Sequence, residues 1–110
     1  EQHAGNLPLW LAPDQLVVLN IAGRHDEYAQ QVAAELEKQG FRAKIDLRNE
    51  KIGFKIREHS MQRVPYLLII GDKELEEQTV TVRTQKGEDL GSFSINDISQ
   101  KLQNEIKQRI

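Results

Sequence analysis

Residues Gln15–Ile21 read Q-L-V-V-L-N-I, and residues Val64–Gly71 read V-P-Y-L-L-I-I-G. Both runs are continuously apolar, as strands are when a parallel sheet is covered on both faces. Pro65 falls among the first residues of the second run, where its missing N–H least disturbs a strand ladder. The two runs therefore predict the central strands of an α/β sheet, with helices on both of its faces.

The chain between the two runs predicts a helix, an edge strand and a second helix. Apolar residues recur every fourth position on one face of the first helix, at Tyr28, Val32 and Leu36. Phe41–Leu47 alternates apolar and polar residues, which predicts a strand at a sheet edge. A short basic helix follows over about residues 51–63. Its apolar residues fall on two sides and predict burial on both: Ile52 with Ile56, and Phe54 with Met61.

After Gly71 comes a polar corner, Asp72-Lys73-Glu74, and the pattern then changes to that of antiparallel strands. Thr79–Thr84 alternates cleanly, and Gly91–Phe93 can pair back to it after a polar turn. Ser94 and Asp97 have the spacing of a capping box that opens a C-terminal helix. Short connections between strand, helix and strand favour parallel pairing with right-handed crossovers. The predicted fold is a three-layer α/β/α domain with a mixed five-stranded sheet in the order 2-1-3-4-5.

Composition excludes several functional classes. The chain has 110 residues, no cysteine and a net charge of −2. One domain fits this length. Three isolated histidines, His3, His25 and His59, lack metal-ligand spacing, so no metal site is predicted. The sequence has neither a glycine-rich phosphate loop nor a readable nucleophile–base pair, and no catalytic residue is predicted. With no apolar run of membrane-spanning length, the expected setting is cytoplasmic.

Positive charge is concentrated in one stretch, Arg48–Arg63, where five basic residues face only Glu50 and Glu58. Because the whole chain is acidic, this stretch predicts a confined site for an anionic ligand and not a general nucleic-acid coat. A solvated helix face with ordinary ion pairs is the alternative. The stretch also lies at the end of a predicted parallel strand, where open α/β sheets bind ligands.

Three side chains are suited to reading base edges: the amide of Asn49 and the carboxylate of Glu74 at these strand ends, and the planar fork of Arg83 on the next strand. Unpaired RNA bases expose the edges that such groups recognise. In the alternative interpretation, Asn49 caps the next helix, Glu74 pairs with Lys73 or Arg83, and Arg83 protects an edge strand. Phe54 is a candidate stacking residue or a core residue. The cations suited to phosphates are Lys51, Lys55, Arg57 and Arg63.

Several sequence motifs of the chain resemble those of a known family. D-L-R-N-E-K-I-G-F-K-I-R-E at Asp46–Glu58, followed by R-V-P-Y and G-D-K-E, resembles the C-terminal anticodon-binding domain of class II aminoacyl-tRNA synthetases, best that of the threonyl family. The resemblance implies that Asn49, Glu74 and Arg83 contact the anticodon. Lys51 and Arg57 correspond to the family's lysine after N-E and its arginine in K-I-R-E-H. Gln85-Lys86 departs from the family's basic pair, which weakens the case for backbone contacts there.

The resemblance also implies an enzyme outside this chain. Its parent would be a homodimeric ligase that attaches threonine to its tRNA, with ATP, magnesium and zinc in the catalytic domain. The present chain would only bind the anticodon loop of threonine tRNA, without a cofactor. Residues 1–13 would be a linker and the tail of that catalytic domain, and residues 14–110 the anticodon-binding domain. The alternatives are an interaction module with the same fold, and the anticodon domain of a histidyl, prolyl or glycyl enzyme.

Overall fold

The computed structural model describes residues 15–48, 50–62, 64–84 and 86–108, which form five strands and four α-helices. The strands are β1 (Leu16–Asn20), β2 (Ala43–Asp46), β3 (Tyr66–Ile70), β4 (Thr79–Thr84) and β5 (Asp89–Ser94). The helices are α1 (Asp26–Lys38), α2 (Ile52–Met61), α3 (Asp72–Glu77) and α4 (Ile95–Gln108), and a short 3-10 turn over Gly23–His25 precedes α1. The proposed linker, residues 1–13, lies outside the described residues.

The sheet has the predicted order β2-β1-β3-β4-β5, which confirms the fold class. Strand β1 pairs in parallel with both β2 and β3, whereas β4 runs antiparallel to β3 and β5. The carboxyl ends of β1, β2 and β3 consequently meet at one edge of the sheet. Strand β2 is an outer strand, as its alternating sequence predicts.

Each face of the sheet has its own apolar core. On the α1/α4 face, side chains from both helices pack on the strands: Leu16, Val18, Tyr28, Val32, Leu36, Leu68, Val82, Ile98 and Leu102. On the α2 face, Ile52 and Ile56 of α2 pack on a smaller cluster: Val17, Leu19, Val64, Leu67 and Ile69. The continuous apolar runs of β1 and β3 are thus explained by burial on both faces.

Three local expectations are wrong. Phe54 and Met61 are 44% and 76% exposed, because the sheet covers only the side of α2 that carries Ile52 and Ile56. The polar corner after Gly71 is the short helix α3. Arg83 cannot protect an edge, since β4 lies between β3 and β5. Among the described helices, none combines the length and the apolarity needed to cross a bilayer.

The packing predicts a clear contrast between two apolar truncations. Leu68→Ala, at a fully buried position of β3, should lower the free energy of unfolding by about 2–5 kcal/mol, because it leaves a cavity between the layers. Met61→Ala, on the exposed side of α2, should change it by less than about 0.5 kcal/mol. Urea denaturation of the three proteins measures both values. Similar losses in the two variants would contradict the single-sided burial of α2.

Candidate functional site

A buried ammonium joins α2 to the ends of two strands. Lys55 is 1% exposed, and its Nζ donates to the main-chain oxygen of Asn20 at 3.1 Å and to Asn20 Oδ1 at 2.7 Å. The main-chain oxygen of Asp46 lies 3.5 Å away. The Asn20 amide in turn donates to Asp26 Oδ1 at 2.6 Å. Burial lowers the pKa of Lys55, and the nearby Asp46 carboxylate partly opposes that effect.

The prediction that Lys55 contacts an RNA phosphate is therefore wrong for this geometry. Its charge is enclosed by protein acceptors at the carboxyl ends of β1 and β2. The spacing of charged residues could not reveal this, because the two closest acceptors, the oxygens of Asn20, lie 35 residues away along the chain. Lys55 belongs to the framework of the site and not to its surface.

A second polar cluster fixes the end of β2. Arg48 donates from Nε to Asp46 Oδ1 at 2.9 Å and from Nη2 to Asp46 Oδ2 at 2.7 Å, and its guanidinium also contacts Glu58. His59 Nε2 lies 2.8 Å from Asp46 Oδ2. Burial alone would raise the pKa of Asp46, but the hydrogen bonds from Arg48 and His59 outweigh it and hold that pKa well below the usual range.

The same cluster lines a groove of about 360 Å³ between β2 and α2. Ligand atoms of Asp46, Glu58 and His59 lie within 4.8 Å of one another, close enough for a metal ion. Arg48 already bridges the two carboxylates, however, and supplies the positive charge that an ion would bring. We therefore assign this cluster to the framework of the fold.

These contacts reduce the apparent basicity of the stretch that begins at Arg48. Arg48 and Lys55 are engaged by acceptors of the protein, whereas Lys51 and Arg57 are exposed and have no ion pair with a described residue. Asn49 and Arg63 lie outside the described residues, so their assigned roles stay predictions. Phe54 is exposed on α2, and the Arg48 guanidinium lies 5.8 Å from the centre of its ring.

Glu74 is held as an acceptor at the start of α3. Its Oε1 accepts the main-chain N–H of Gly71 at 2.8 Å, which caps the helix, and its Oε2 accepts the hydroxyl of Thr81 at 2.6 Å. No ion pair with Lys73 or Arg83 forms, so that alternative is wrong. A carboxylate offers about four acceptor positions, and these two bonds leave capacity for further donors.

Arg83 lies on the α2 face of β4, two residues after Thr81. It pairs with Leu67 of the neighbouring strand β3, and Leu67 belongs to the apolar cluster of that face. The guanidinium makes one long hydrogen bond, from Nη2 to the Gly87 oxygen at 3.3 Å, and its Nε is buried without an acceptor among the described residues. A guanidinium carries five N–H donors, so Arg83 retains most of its hydrogen-bonding capacity.

The structure thus joins two of the predicted readers. Glu74 and Arg83 are linked by Thr81, which bonds to the first and shares a strand face with the second. Arg83 lies away from the carboxyl edge of the sheet, opposite Leu67 near the amino end of β3. The neighbouring side chains on this face are polar and at least partly exposed: Thr81 of β4, and Asp89 and Ser92 of β5.

A further contact, missed by sequence reasoning, anchors α3. Asp72 accepts Arg24 Nε at 2.7 Å on Oδ1 and Arg24 Nη2 at 2.8 Å on Oδ2, and His25 Nε2 also lies 2.7 Å from Oδ1. The hydrogen bonds from Arg24 and His25 lower the pKa of Asp72. These bonds tie the helix that carries Glu74 to the turn after β1. No local spacing signals them, because the partners lie 47 and 48 residues apart.

Comparison with known proteins identifies relatives of the chain. The family described as the anticodon binding domain matches residues 15–105. The chain is 54% identical over 110 residues to a threonine–tRNA ligase of Nitrosomonas europaea and 60% identical over 109 residues to one of Methylococcus capsulatus. These alignments cover 100% and 99% of the chain. The chain spans 17% of the length of each of these relatives.

A solved structure has the same fold. It is the crystal structure of the RNA binding domain of threonyl-tRNA synthetase from Cryptosporidium parvum Iowa II, which matches with a TM-score of 0.88 and 32% sequence identity. The match covers 93% of this chain and 26% of that one. The threonine relatives favour the threonyl family over the histidyl, prolyl and glycyl alternatives.

The framework role of Lys55 predicts a loss of stability when its charge is removed. Lys55→Met keeps the length of the side chain but leaves the oxygens of Asn20 without their donor. We expect the free energy of unfolding to fall by about 2–3 kcal/mol. Lys51→Met, at the exposed start of α2, should change it by less than about 0.5 kcal/mol. Equal effects in urea denaturation would contradict the burial of the Lys55 ammonium.

The Asp46 cluster predicts acid sensitivity. Because the folded pKa of Asp46 lies below the unfolded value of about 3.9, its carboxylate stabilises the fold fully above about pH 5 and loses that contribution as the pH falls below about 4. The difference in free energy of unfolding between wild type and Asp46→Asn should therefore be constant just above pH 5 and shrink in more acidic buffer. Urea denaturation at several pH values tests this, and a difference that stays constant down to about pH 2 would refute it.

Proposed function

The chain belongs to the anticodon-binding domain family, and from that membership we propose that it binds the anticodon loop of threonine tRNA. In this role it supports the attachment of threonine by a catalytic domain elsewhere in the parent protein. The parent relatives are named threonine–tRNA ligases. ATP, magnesium and zinc belong to the chemistry of that catalytic domain, and no residue of this chain is assigned to them. The proposed parent is a cytoplasmic homodimer.

The observation that carries this proposal is that Thr81 joins an acceptor, Glu74, to the face of β4 that carries a donor, Arg83. Glu74 is a fixed carboxylate, and Arg83 retains unused N–H groups. Watson–Crick edges of unpaired bases present donors and acceptors together, so such a pair can read base identity. Small hydroxyl residues around Arg83 leave room for a flat base to approach.

The contacts with the RNA backbone are assigned to α2 and its first flanking residue. Lys51 and Arg57 are exposed and have no ion pair with a described residue, so they can approach phosphates without breaking a protein contact. Phe54, exposed on the same helix, supplies an aromatic face for stacking. Asn49 remains the third proposed base reader on the strength of its match to the family. A small number of cations on an acidic chain suits local recognition of one loop, since general affinity for nucleic acid requires many phosphate contacts.

The proposal predicts different consequences for the two kinds of arginine. Arg83→Ala should lose about 1–3 kcal/mol of binding to the cognate anticodon stem-loop, and much less to loops altered at the base that it reads. Arg57→Ala should weaken binding to every loop alike and reduce the salt dependence by about one phosphate contact. Fluorescence titration at two salt concentrations measures both effects.

The matched experiment uses the wild-type chain with three stem-loops. One carries the threonine anticodon, and the other two are altered at its second or its third base. We expect the cognate loop to bind more tightly than either altered loop, with a difference that persists when salt is raised. Equal affinities for the three loops would refute base reading by this domain.

A further inference from the structure

We propose that Gly71 and Thr81 are positioning residues that set base specificity by fixing the carboxylate of Glu74. The inference rests on the proposed function, because it concerns how the same surface discriminates between anticodon loops. Neither Gly71 nor Thr81 is proposed to contact a base directly. Each acts through a contact with one oxygen of Glu74.

Thr81 fixes the first of these oxygens from within the sheet. Its hydroxyl donates to Glu74 Oε2 at 2.6 Å, and its own backbone is held in β4, where it pairs with Ile69 of β3 and Ser92 of β5. Thr81 is therefore a rigid donor, and Glu74 is only 8% exposed. A β-branched residue in a strand has few side-chain rotamers, which further restricts where the hydroxyl can lie. The Glu74 carboxylate is consequently tied to the sheet as well as to its own helix.

Gly71 fixes the second oxygen through its main chain and through the absence of a side chain. Its N–H donates to Glu74 Oε1 at 2.8 Å. A Cβ added at Gly71 would lie 3.1 Å from this oxygen and 2.8 Å from Ile21 Cδ1. The backbone of Gly71 is extended, with φ −125° and ψ −165°, so other residues could adopt its conformation. The close approach of Ile21 and Glu74 therefore accounts for glycine here, and the backbone angles do not.

Both bonds leave the carboxylate oriented before RNA arrives. Each of its oxygens has one protein donor, so its remaining acceptor positions point in fixed directions. A site built around a fixed hydrogen-bond acceptor rejects a base that lacks the matching donor, because the mismatch leaves a desolvated group unpaired. A carboxylate that can rotate adapts to more than one base, and its discrimination falls.

Thr81 also lies next to both proposed readers. Thr81 and Arg83 lie two residues apart on one strand, so their side chains emerge on the same face about 7 Å apart along β4. Glu74 accepts a hydrogen bond from Thr81 and none from Arg83. Loosening Glu74 at Thr81 should therefore disturb one base position and leave the contact made by Arg83 in place.

The test compares Thr81→Val, which removes the hydroxyl at nearly constant shape, with Thr81→Ser, which keeps it. Thr79→Val is the matched control, because the hydroxyl of Thr79 lies on the same strand face and has no partner among the described residues. Dissociation constants are measured for the cognate stem-loop and for the loops altered at the second or third anticodon base. Circular dichroism and thermal unfolding verify that each variant is folded.

We expect Thr81→Val to reduce discrimination about tenfold at the one base position that Glu74→Gln also affects, and to leave the other position unchanged. Thr81→Ser and Thr79→Val should discriminate as wild type does. Gly71→Ala should show the same selective loss as Thr81→Val. Adding Thr81→Val to Glu74→Gln should cause no further loss, because the hydroxyl acts only through the carboxylate.

Two results would overturn the inference in distinguishable ways. If wild type and Thr81→Val discriminate equally well, Thr81 does not position the reader, although the proposed function stands. If wild type binds all three loops alike, the proposed function fails and the inference fails with it. Should Thr81→Val unfold, the comparison between Gly71→Ala and Thr79→Val decides, and equal discrimination by those two proteins overturns the inference.

Discussion

The buried ammonium of Lys55 is the constraint on which the site depends. It brings α2 against the carboxyl ends of β1 and β2, and its partners are the side-chain and main-chain oxygens of Asn20. A buried charge is tolerated only when its hydrogen bonds are satisfied. The oxygens of Asn20 meet this requirement, and the Asn20 amide group donates a further hydrogen bond to Asp26 at the start of α1. One interaction thus fixes two helices relative to the central strand.

The polar groups of this domain fall into two classes that composition does not distinguish. Arg48 and Lys55 are engaged by protein acceptors and shape the loop after β2. Arg83 keeps donors without acceptors among the described residues, and Glu74 keeps acceptor capacity after accepting two protein donors. The second class is the one that can bind a ligand without first breaking internal contacts. This difference supports the proposal that recognition lies on the α2 face of β4, whereas Arg48 and Lys55 belong to the framework.

The layers and strand order could be predicted because they follow from local patterns. The apolar runs of β1 and β3 indicate burial on both faces, and the alternation in β2 and β4 indicates their pairing. The environment of single side chains could not be predicted in this way. Lys55 is buried and Phe54 is exposed, although helical spacing and residue type suggest the reverse. Both outcomes depend on which side of α2 faces the sheet, and this is decided by residues distant in sequence.

The same limit applies to the site. The family resemblance predicts Glu74 and Arg83 as base readers. Neither the motifs nor the residue spacing indicated that Thr81 joins them, or that Asp72 anchors α3 to the turn after β1. Such contacts arise only when strands from different parts of the chain lie side by side. The carboxyl-edge rule placed the corner at Gly71 correctly, and the alternating pattern placed Arg83 on the next strand. The structure adds that β4 runs antiparallel to β3, so Arg83 lies opposite Leu67, near the amino end of β3.

Amide chemical-shift mapping with the threonine anticodon stem-loop tests the account most directly. If the α2 face of β4 reads the loop, the largest shifts will fall at Gly71, Glu74, Thr81 and Arg83 and in the first turn of α2. Amides of α1 and α4, which cover the other face of the sheet, will remain unchanged. Shifts centred on α1 and α4, with β4 unaffected, would contradict it.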